Sequence, residues 1–322
     1  MLKVALIGAG GMGSVHFDAY KDIDGAELCA VCDVREEVLK EKTEGTEIKG
    51  FLDYKELLAS DKFDIVDICT PTYLHKEISI AALESGANVL CEKPMALSKS
   101  DCDEVIAAAE KSGKMFMAAH VVRFMNAYIY LRDVIKSGKY GKLLRLDMKR
   151  LSGIPRWSWE NWMLDKEKSG HAVVDLMIHD IDFVQDVFGM PKEISGVYYD
   201  MKDMTNYASL DYVYDGFSVS AEGGWYNYDV PFRAEYYALF ENGCVELRAD
   251  EVLDCGEKIS FEETKKTGET GINISNVDGY GGEIAYFAEC VRTGTRPTAV
   301  TPESSAKSVE LALKTIDKMT KI

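Results

Sequence analysis

The stretch that decides the fold is KVALIGAGGMGSVHFDAYK, residues 3–21. An apolar run ends in glycines and residues of helical character follow, so it reads as strand, tight turn and helix. Gly8, Gly10 and Gly13 give the spacing GxGxxG at that turn. Each glycine has a physical task there: Gly8 permits the tight turn, Gly10 lets the backbone approach a pyrophosphate, and Gly13 lets the helix pack closely on the strand. Gly11 and Met12 belong to the same loop, and the helix amides and dipole would bind the phosphates. Alone the pattern is a weak signal, because turn glycines are commonly only turns; its place between a strand and a helix gives it weight.

The rest of the first hundred residues repeats that alternation. AELCAVCD, FDIVDICT, ANVLCEKP and KMFMAAHVV read as buried strands, and REEVLKEKT, DYKELLAS, LHKEISIAALESG and SKSDCDEVIAAAEKSG carry helical periodicity. Strands alternating with helices imply a doubly wound parallel sheet of Rossmann type, expected over residues 1–122.

A chain of 322 residues, 47% of them hydrophobic, has enough material for two domains. Its formal charge of -17 argues against nucleic acid and anionic membranes as partners and favours a small neutral ligand. Nothing resembles a signal peptide or a spanning segment, so a soluble, cytoplasmic protein is expected. The eight cysteines sit among aliphatic residues, as buried thiols of a reducing compartment do. Cys29 and Cys32 form CxxC, but on a strand residues three apart point to opposite faces, which disfavours a shared metal or disulfide.

Ligands of open α/β sheets bind beyond the carboxyl ends of the strands. Asp33, twenty residues after Gly13, ends the second strand, where a carboxylate accepts from ribose hydroxyls and favours NAD; Arg35 nearby would accommodate the 2′-phosphate of NADP. In TPTYLHKE, residues 70–77, Thr70 and Pro71 end a strand, Thr72 is positioned to cap a helix, and His75 falls in its first turn, where the dipole keeps it neutral. In LCEKPM, residues 90–95, Glu92 and Lys93 emerge at the crevice, and Pro94 biases Lys93 towards extended geometry.

A second motif, SGHAVVDLMIHD, spans residues 169–180. His171, Asp175 and His179 are four apart, on one face of a helix, a spacing that suits a metal, a proton relay or a buried polar network. Before it, RLSGIPRWSWENWMLDKEKSG carries Arg156, Trp157, Trp159 and Trp162, which either line a sugar or polyol pocket or anchor the loop. Arg123 is a further candidate substrate contact. After it, ISGVYYDMK, NYASLDYVYDG, FSVSAEGGWYNY, FRAEYYALFENG, CVELRA and KISFEE alternate apolar with polar residues between Asp-Gly and Asn-Gly turns. This predicts an α+β domain over residues 123–322 with a large antiparallel open sheet lacking parallel crossovers. Its aromatic-rich, half-exposed face suits burial against a partner.

With GAGGMG, TPTYLH, CEKP and SGHAVVDLMIHDID, residues 169–182, in view, the chain resembles the glucose-fructose oxidoreductase / inositol dehydrogenase / rhizopine catabolism (Gfo/Idh/MocA) oxidoreductases over essentially its whole length. That resemblance implies an NAD(P)-dependent oxidoreductase acting on a polyol, cyclitol or sugar derivative. Lys93, Asp175 and His179 would then surround the reacting carbinol, His75 would lie beside the cofactor, and the molecule would be a homodimer or homotetramer. Family members commonly carry glycine where this chain has His171, so His171 stands at the substrate end as a departure from the pattern. With Lys93 placed at the carbinol no metal is required. Two other readings share these motifs: an enzyme that cleaves glycosides while recycling its NAD, and a non-catalytic NAD sensor.

Overall fold

The computed structural model describes residues 1–200, 206–227, 230–261 and 279–322. They divide into two compact units, residues 1–121 with 279–306 and residues 122–261 with 307–322.

In the first unit strands and helices alternate: β1 (Leu2–Ile7), α1 (Gly11–Ala19), β2 (Ala26–Cys32), α2 (Glu36–Thr43), β3 (Lys49–Phe51), α3 (Tyr54–Ser60), β4 (Ile65–Ile68), α4 (His75–Glu84), β5 (Asn88–Glu92), α5 (Lys99–Ser112) and β6 (Phe116–Ala119). The six strands lie in the order β3-β2-β1-β4-β5-β6, every pair parallel. Burial on both faces explains why these strands read as unbroken apolar runs: Val4, Ala5, Leu6, Val66, Val89 and Leu90 are all fully buried. The strand order reverses between β1 and β4, which places a ligand crevice at the carboxyl ends of those strands. Ser98 caps α5 by accepting the Asp101 amide at 3.1 Å, and Gly113 ends it in the left-handed region.

The second unit contains α6 (Asn126–Ser137), β7 (Leu143–Gly153), α7 (Lys166–Ser169), α8 (His171–Asp175), α9 (Ile178–Phe188), β8 (Glu193–Asp200), β9 (Asn206–Val213), β10 (Ser218–Tyr226), β11 (Arg233–Phe240), β12 (Cys244–Arg248), β13 (Glu251–Asp254) and β14 (Glu257–Ile259). Helices α10 (Gly279–Thr293) and α11 (Pro302–Lys318) and strand β15 (Thr320–Lys321) complete the chain. The linear division expected at residue 122 therefore needs correction for 279–306. Helix α10 turns Ile284, Phe287 and Ala288 inward against α1, β5 and β6, and so belongs with the first unit.

Among the described residues the second sheet runs β14-β13-β12-β11-β7-β10-β9-β8-β15. It is mixed, and not purely antiparallel as the turn pattern suggested, because β10 pairs with β7 in parallel and β15 with β8. The chain leaves β7, passes through α7–α9 and the β8–β9 pair, and re-enters beside β7 in the same direction, as a crossover requires. Residues 201–202, 228 and 262–263 of the expected strands lie outside the described residues. Alternation along the strands sends Leu146, Met148, Val219, Ala221, Tyr236 and Ala238 inward. The opposite face carries ion pairs, Arg145 with Asp147 at 2.7 Å and Lys149 with Glu222 at 2.8 Å, so it is more charged than its aromatic content suggested.

One buried ion pair ties α9 to β7. Arg150, 4% exposed, donates through Nε and Nη2 to both oxygens of the fully buried Asp180 at 3.1 and 2.7 Å, and to the Tyr128 hydroxyl at 2.9 Å. Replacing Arg150 with Met leaves a buried carboxylate without its cation. Chemical denaturation of that variant is expected to show a loss of about 3–5 kcal/mol, much of it recovered when Asp180 is also made Leu.

Candidate active site

The glycine loop is built as its spacing predicts. Gly8 has φ +91°, and a Cβ there would lie 2.6 Å from the Cys69 carbonyl oxygen; a Cβ on Gly13 would lie 1.9 Å from the Gly8 carbonyl oxygen. Only glycines allow α1 to start this close to the strand ends. Gly10 precedes α1 with no side-chain cap, which leaves the amides of Gly11, Met12 and Gly13 at the helix start without a capping side chain.

Asp33 anchors this loop. Its Oδ2 accepts the Ala9 amide at 2.9 Å and Arg35 Nη2 at 2.8 Å, while Oδ1 accepts the Arg35 amide at 3.0 Å and Nε at 2.8 Å. Burial alone would raise the carboxyl pKa, but the Arg35 guanidinium and the two amides outweigh it and hold the group below its ordinary value. Arg35 Nη2 also lies 3.4 Å from where a Gly10 Cβ would be. Asp33, Arg35 and the glycine loop are thus one assembly. The amides at a helix start, a glycine cradle that a Cβ would fill, and a carboxylate at the second strand end fit the phosphates and ribose of NAD.

His75, the first residue of α4, joins the other two strand ends. Its Nδ1 lies 2.8 Å from the Pro94 carbonyl oxygen and its Nε2 2.9 Å from that of Thr70. Burial is the largest influence on its pKa and lowers it, outweighing the two carbonyls. Burial thus favours the neutral ring, which can donate to one of the two carbonyls. Thr72 does not cap α4; it is buried in a short 3-10 turn, Thr72–Leu74, ahead of the helix. Lys93 is half-buried, and its amide donates to Glu92 Oε2 at 3.0 Å.

In the second unit the motif 169–180 is two helices rather than one. The Leu176 and Met177 amides both turn back to the Ala172 carbonyl, at 3.0 and 2.7 Å, ending α8, and α9 starts at Ile178. Asp175 closes α8 and His179 is the second residue of α9, so the four-residue spacing does not run along a single helix. His171 has φ +59°, a left-handed backbone that favours the glycine expected at this position.

The remaining candidates are placed as follows. Arg123 is buried, its Nε and Nη2 on Asp182 at 2.8 and 2.7 Å and its Nη1 on Asp186 at 2.9 Å. Arg156 reaches the Asn227 side chain at 2.6 Å. Trp162 packs on the cluster of Met163, Ala172, Leu176 and Trp225, whereas Trp157 is 70% exposed. Cys29 and Cys32 both lie on β2, and all eight cysteines are free thiols.

The structure also gathers groups that the motifs did not single out. His16, Glu92 and Glu283 bring one ligand atom each to within 4.8 Å of one another, as do His16, Asp67 and Cys69. The signal was present in the sequence, since Asp67 interrupts an apolar strand and His16 falls within the helix of the glycine motif.

Fold and loop together define an NAD-binding oxidoreductase with a doubly wound cofactor unit. Residues 2–120 match the family model described as an oxidoreductase family with an NAD-binding Rossmann fold, and residues 128–243 match the GFO/IDH/MocA C-terminal domain. The chain belongs to the Gfo/Idh/MocA oxidoreductase family. It is 29% identical over 268 residues to 2,7-anhydro-N-acetylneuraminate hydratase of Mediterraneibacter gnavus, across 80% of this chain and 69% of that one. It is 31% identical over 204 residues to myo-inositol 2-dehydrogenase of Thermotoga maritima, across 62% and 58%. The crystal structure of myo-inositol 2-dehydrogenase from Lactobacillus plantarum shares the fold with a TM-score of 0.81 at 23% identity, covering 98% of this chain and 96% of that one. Among the described residues no helix is long and apolar enough to cross a membrane.

The left-handed His171 gives a two-sided expectation. Changing it to Gly relieves about 1 kcal/mol of backbone strain, partly offset by glycine's greater unfolded-state entropy, so thermal unfolding of the variant is expected to occur at or above the wild-type midpoint.

Proposed function

We propose that the chain is an NAD-dependent dehydrogenase of a polyol, cyclitol or sugar derivative, with Lys93, Asp175 and His179 acting at the reacting carbinol. The observation that carries this reading is the fixed turn bearing Lys93 in the NAD-binding unit: the Glu92 side chain holds the Lys93 amide, and His75 holds the Pro94 carbonyl. When bound, NAD supplies the hydride acceptor. Oxidising the alcohol also releases a proton, which His179 accepts, while the Lys93 ammonium favours alkoxide character on the oxygen that loses it. Asp175 orients the histidine or holds a substrate hydroxyl. His171, Arg156 and Trp162 are candidate substrate contacts. Arg123 is a further candidate substrate contact, its guanidinium paired with Asp182 and Asp186.

Asp33 favours NAD, and the paired Arg35 leaves NADP as a second acceptor for the adenosine site. The half-exposed apolar residues Leu144, Tyr237 and Leu239 on the second sheet support a homodimer or homotetramer formed through that face. The fold and charge fit a cytoplasmic enzyme without nucleic-acid or membrane partners.

A second reading is favoured by the likeness to 2,7-anhydro-N-acetylneuraminate hydratase. In that case the hydride taken from a sugar is returned within the same turnover, so a glycosidic or anhydro linkage is opened with no net change in the cofactor.

The test offers NAD, in the presence of EDTA, with inositols, aldoses, glucosides and an anhydro sugar, while reduced nicotinamide and product are both followed. The dehydrogenase reading expects reduced cofactor with at least one alcohol. Lys93→Met and His179→Asn are each expected to lower kcat by about a hundredfold or more while NAD affinity changes little. Full turnover by either variant would remove that residue from the mechanism. Product without accumulating reduced cofactor would establish the recycling reading instead.

A further inference from the structure

The turn that bears Lys93 rests on a fully buried histidine of α1. His16 Nδ1 lies at hydrogen-bond distance, 2.9 Å, from Asp67 Oδ2 on β4, and Nε2 makes a charge contact, not a formed hydrogen bond, with Glu92 Oε1 at the end of β5 at 3.2 Å. The Tyr20 hydroxyl donates to the same Asp67 oxygen at 2.9 Å. The other oxygen of Glu92 accepts the Lys93 amide. Cys69 lies beside Asp67, and α10 contributes Glu283 and the Tyr280 ring, 6.5 Å away, to the surroundings of the imidazole.

Two buried carboxylates on neighbouring strands would each be costly without a cation. Among the described residues His16 meets both, and a ring with an ionised carboxylate at each nitrogen can donate to both only as imidazolium, because the neutral ring has one donor. Burial by itself would lower the His16 pKa, yet Asp67 and Cys69 together outweigh it and carry it well above the ordinary 6.5. Burial by itself would raise Glu92, yet His16 and Lys93 outweigh it and hold it below the ordinary 4.5. The contribution of His16 to stability is therefore full below about pH 6.5 and is lost as the pH rises through its elevated folded pKa. That of Glu92 is present above its ordinary value and is lost as the pH falls through its depressed folded one.

We propose that His16 is a positioning residue for Lys93: it bridges Asp67 to Glu92, and through the Glu92 carboxylate it fixes the Lys93 peptide group and the direction in which the strand end presents the ammonium. The inference rests on the reading of Lys93 as the group at the reacting oxygen. It adds that the charge on a helix beneath the cofactor loop is what keeps that lysine aimed.

The test is amide hydrogen exchange at Lys93 in the full chain without cofactor or substrate. In His16→Gln the Glu92 carboxyl loses its cation and takes up a proton more readily, so it accepts poorly from the Lys93 amide. Exchange at Lys93, corrected for intrinsic rate, is expected to quicken about tenfold or more while Leu90 and Cys91 on β5 keep their protection. Protection at Lys93 should return as the pH is raised and Glu92 ionises, a dependence that loss of packing alone would not produce. In His16→Gln/Glu92→Gln the neutral amide oxygen accepts without needing a cation, and Lys93 should recover most of its protection. Wild-type exchange at Lys93 in His16→Gln, or quickening that is independent of pH and shared by all of β5, would overturn the proposal. If His16→Gln alone does not fold, the double variant is compared with Glu92→Gln: equal exchange at Lys93 supports the proposal and faster exchange in the double variant overturns it. Turnover by Lys93→Met reads the role of the lysine separately, so an active Lys93→Met removes the catalytic reading and leaves the exchange result standing.

Discussion

The close approach of α1 to the end of β1 is the constraint on which the first unit depends. A side chain at residue 13 would collide with the Gly8 carbonyl, and one at residue 8 with the backbone after β4, so glycine alone permits this seat. The seat does two things at once. It brings uncapped amides to the place where a pyrophosphate is held. It also lowers the next turn of α1 onto the sheet, so that His16 reaches Asp67 on one strand and Glu92 on the next. Cofactor loop and lysine turn are therefore set by the same helix placement.

Much of this was legible in the sequence because it follows from periodicity and glycine chemistry. The apolar runs of β1, β4 and β5, the glycines at 8, 10 and 13, and the strand-end placement of Asp33 and Glu92 each have a local physical signature. What was not legible depends on tertiary pairing. The break between α8 and α9 has no proline or glycine to announce it; two amides sharing the Ala172 carbonyl make it. The parallel pairing of β10 with β7 is set by a crossover, which the alternation within either strand cannot reveal. Helix α10 returns to the first unit by packing that a linear reading does not see.

Buried charge was the most informative feature that the motifs left unread. Asp67 sits in a strand otherwise made of isoleucine and valine, and Arg150 and Asp180 are both deeply buried. A charge so placed requires a partner, and asking for the partner leads in the first unit to His16 and in the second to the pair that ties α9 to β7. His171 is a different kind of departure: the backbone is in the left-handed region that favours glycine, and the chain supplies an imidazole.

The central claim is that this chain moves a hydride from a carbinol carbon to a nicotinamide. The most direct measurement is a single turnover, with enzyme and NAD in excess over polyols and sugars deuterated at the carbinol carbons, followed by mass analysis of the cofactor. The account predicts that at least one of these alcohols leaves its deuterium on the nicotinamide ring. Consumption of an alcohol with no deuterium ever reaching the cofactor would contradict it.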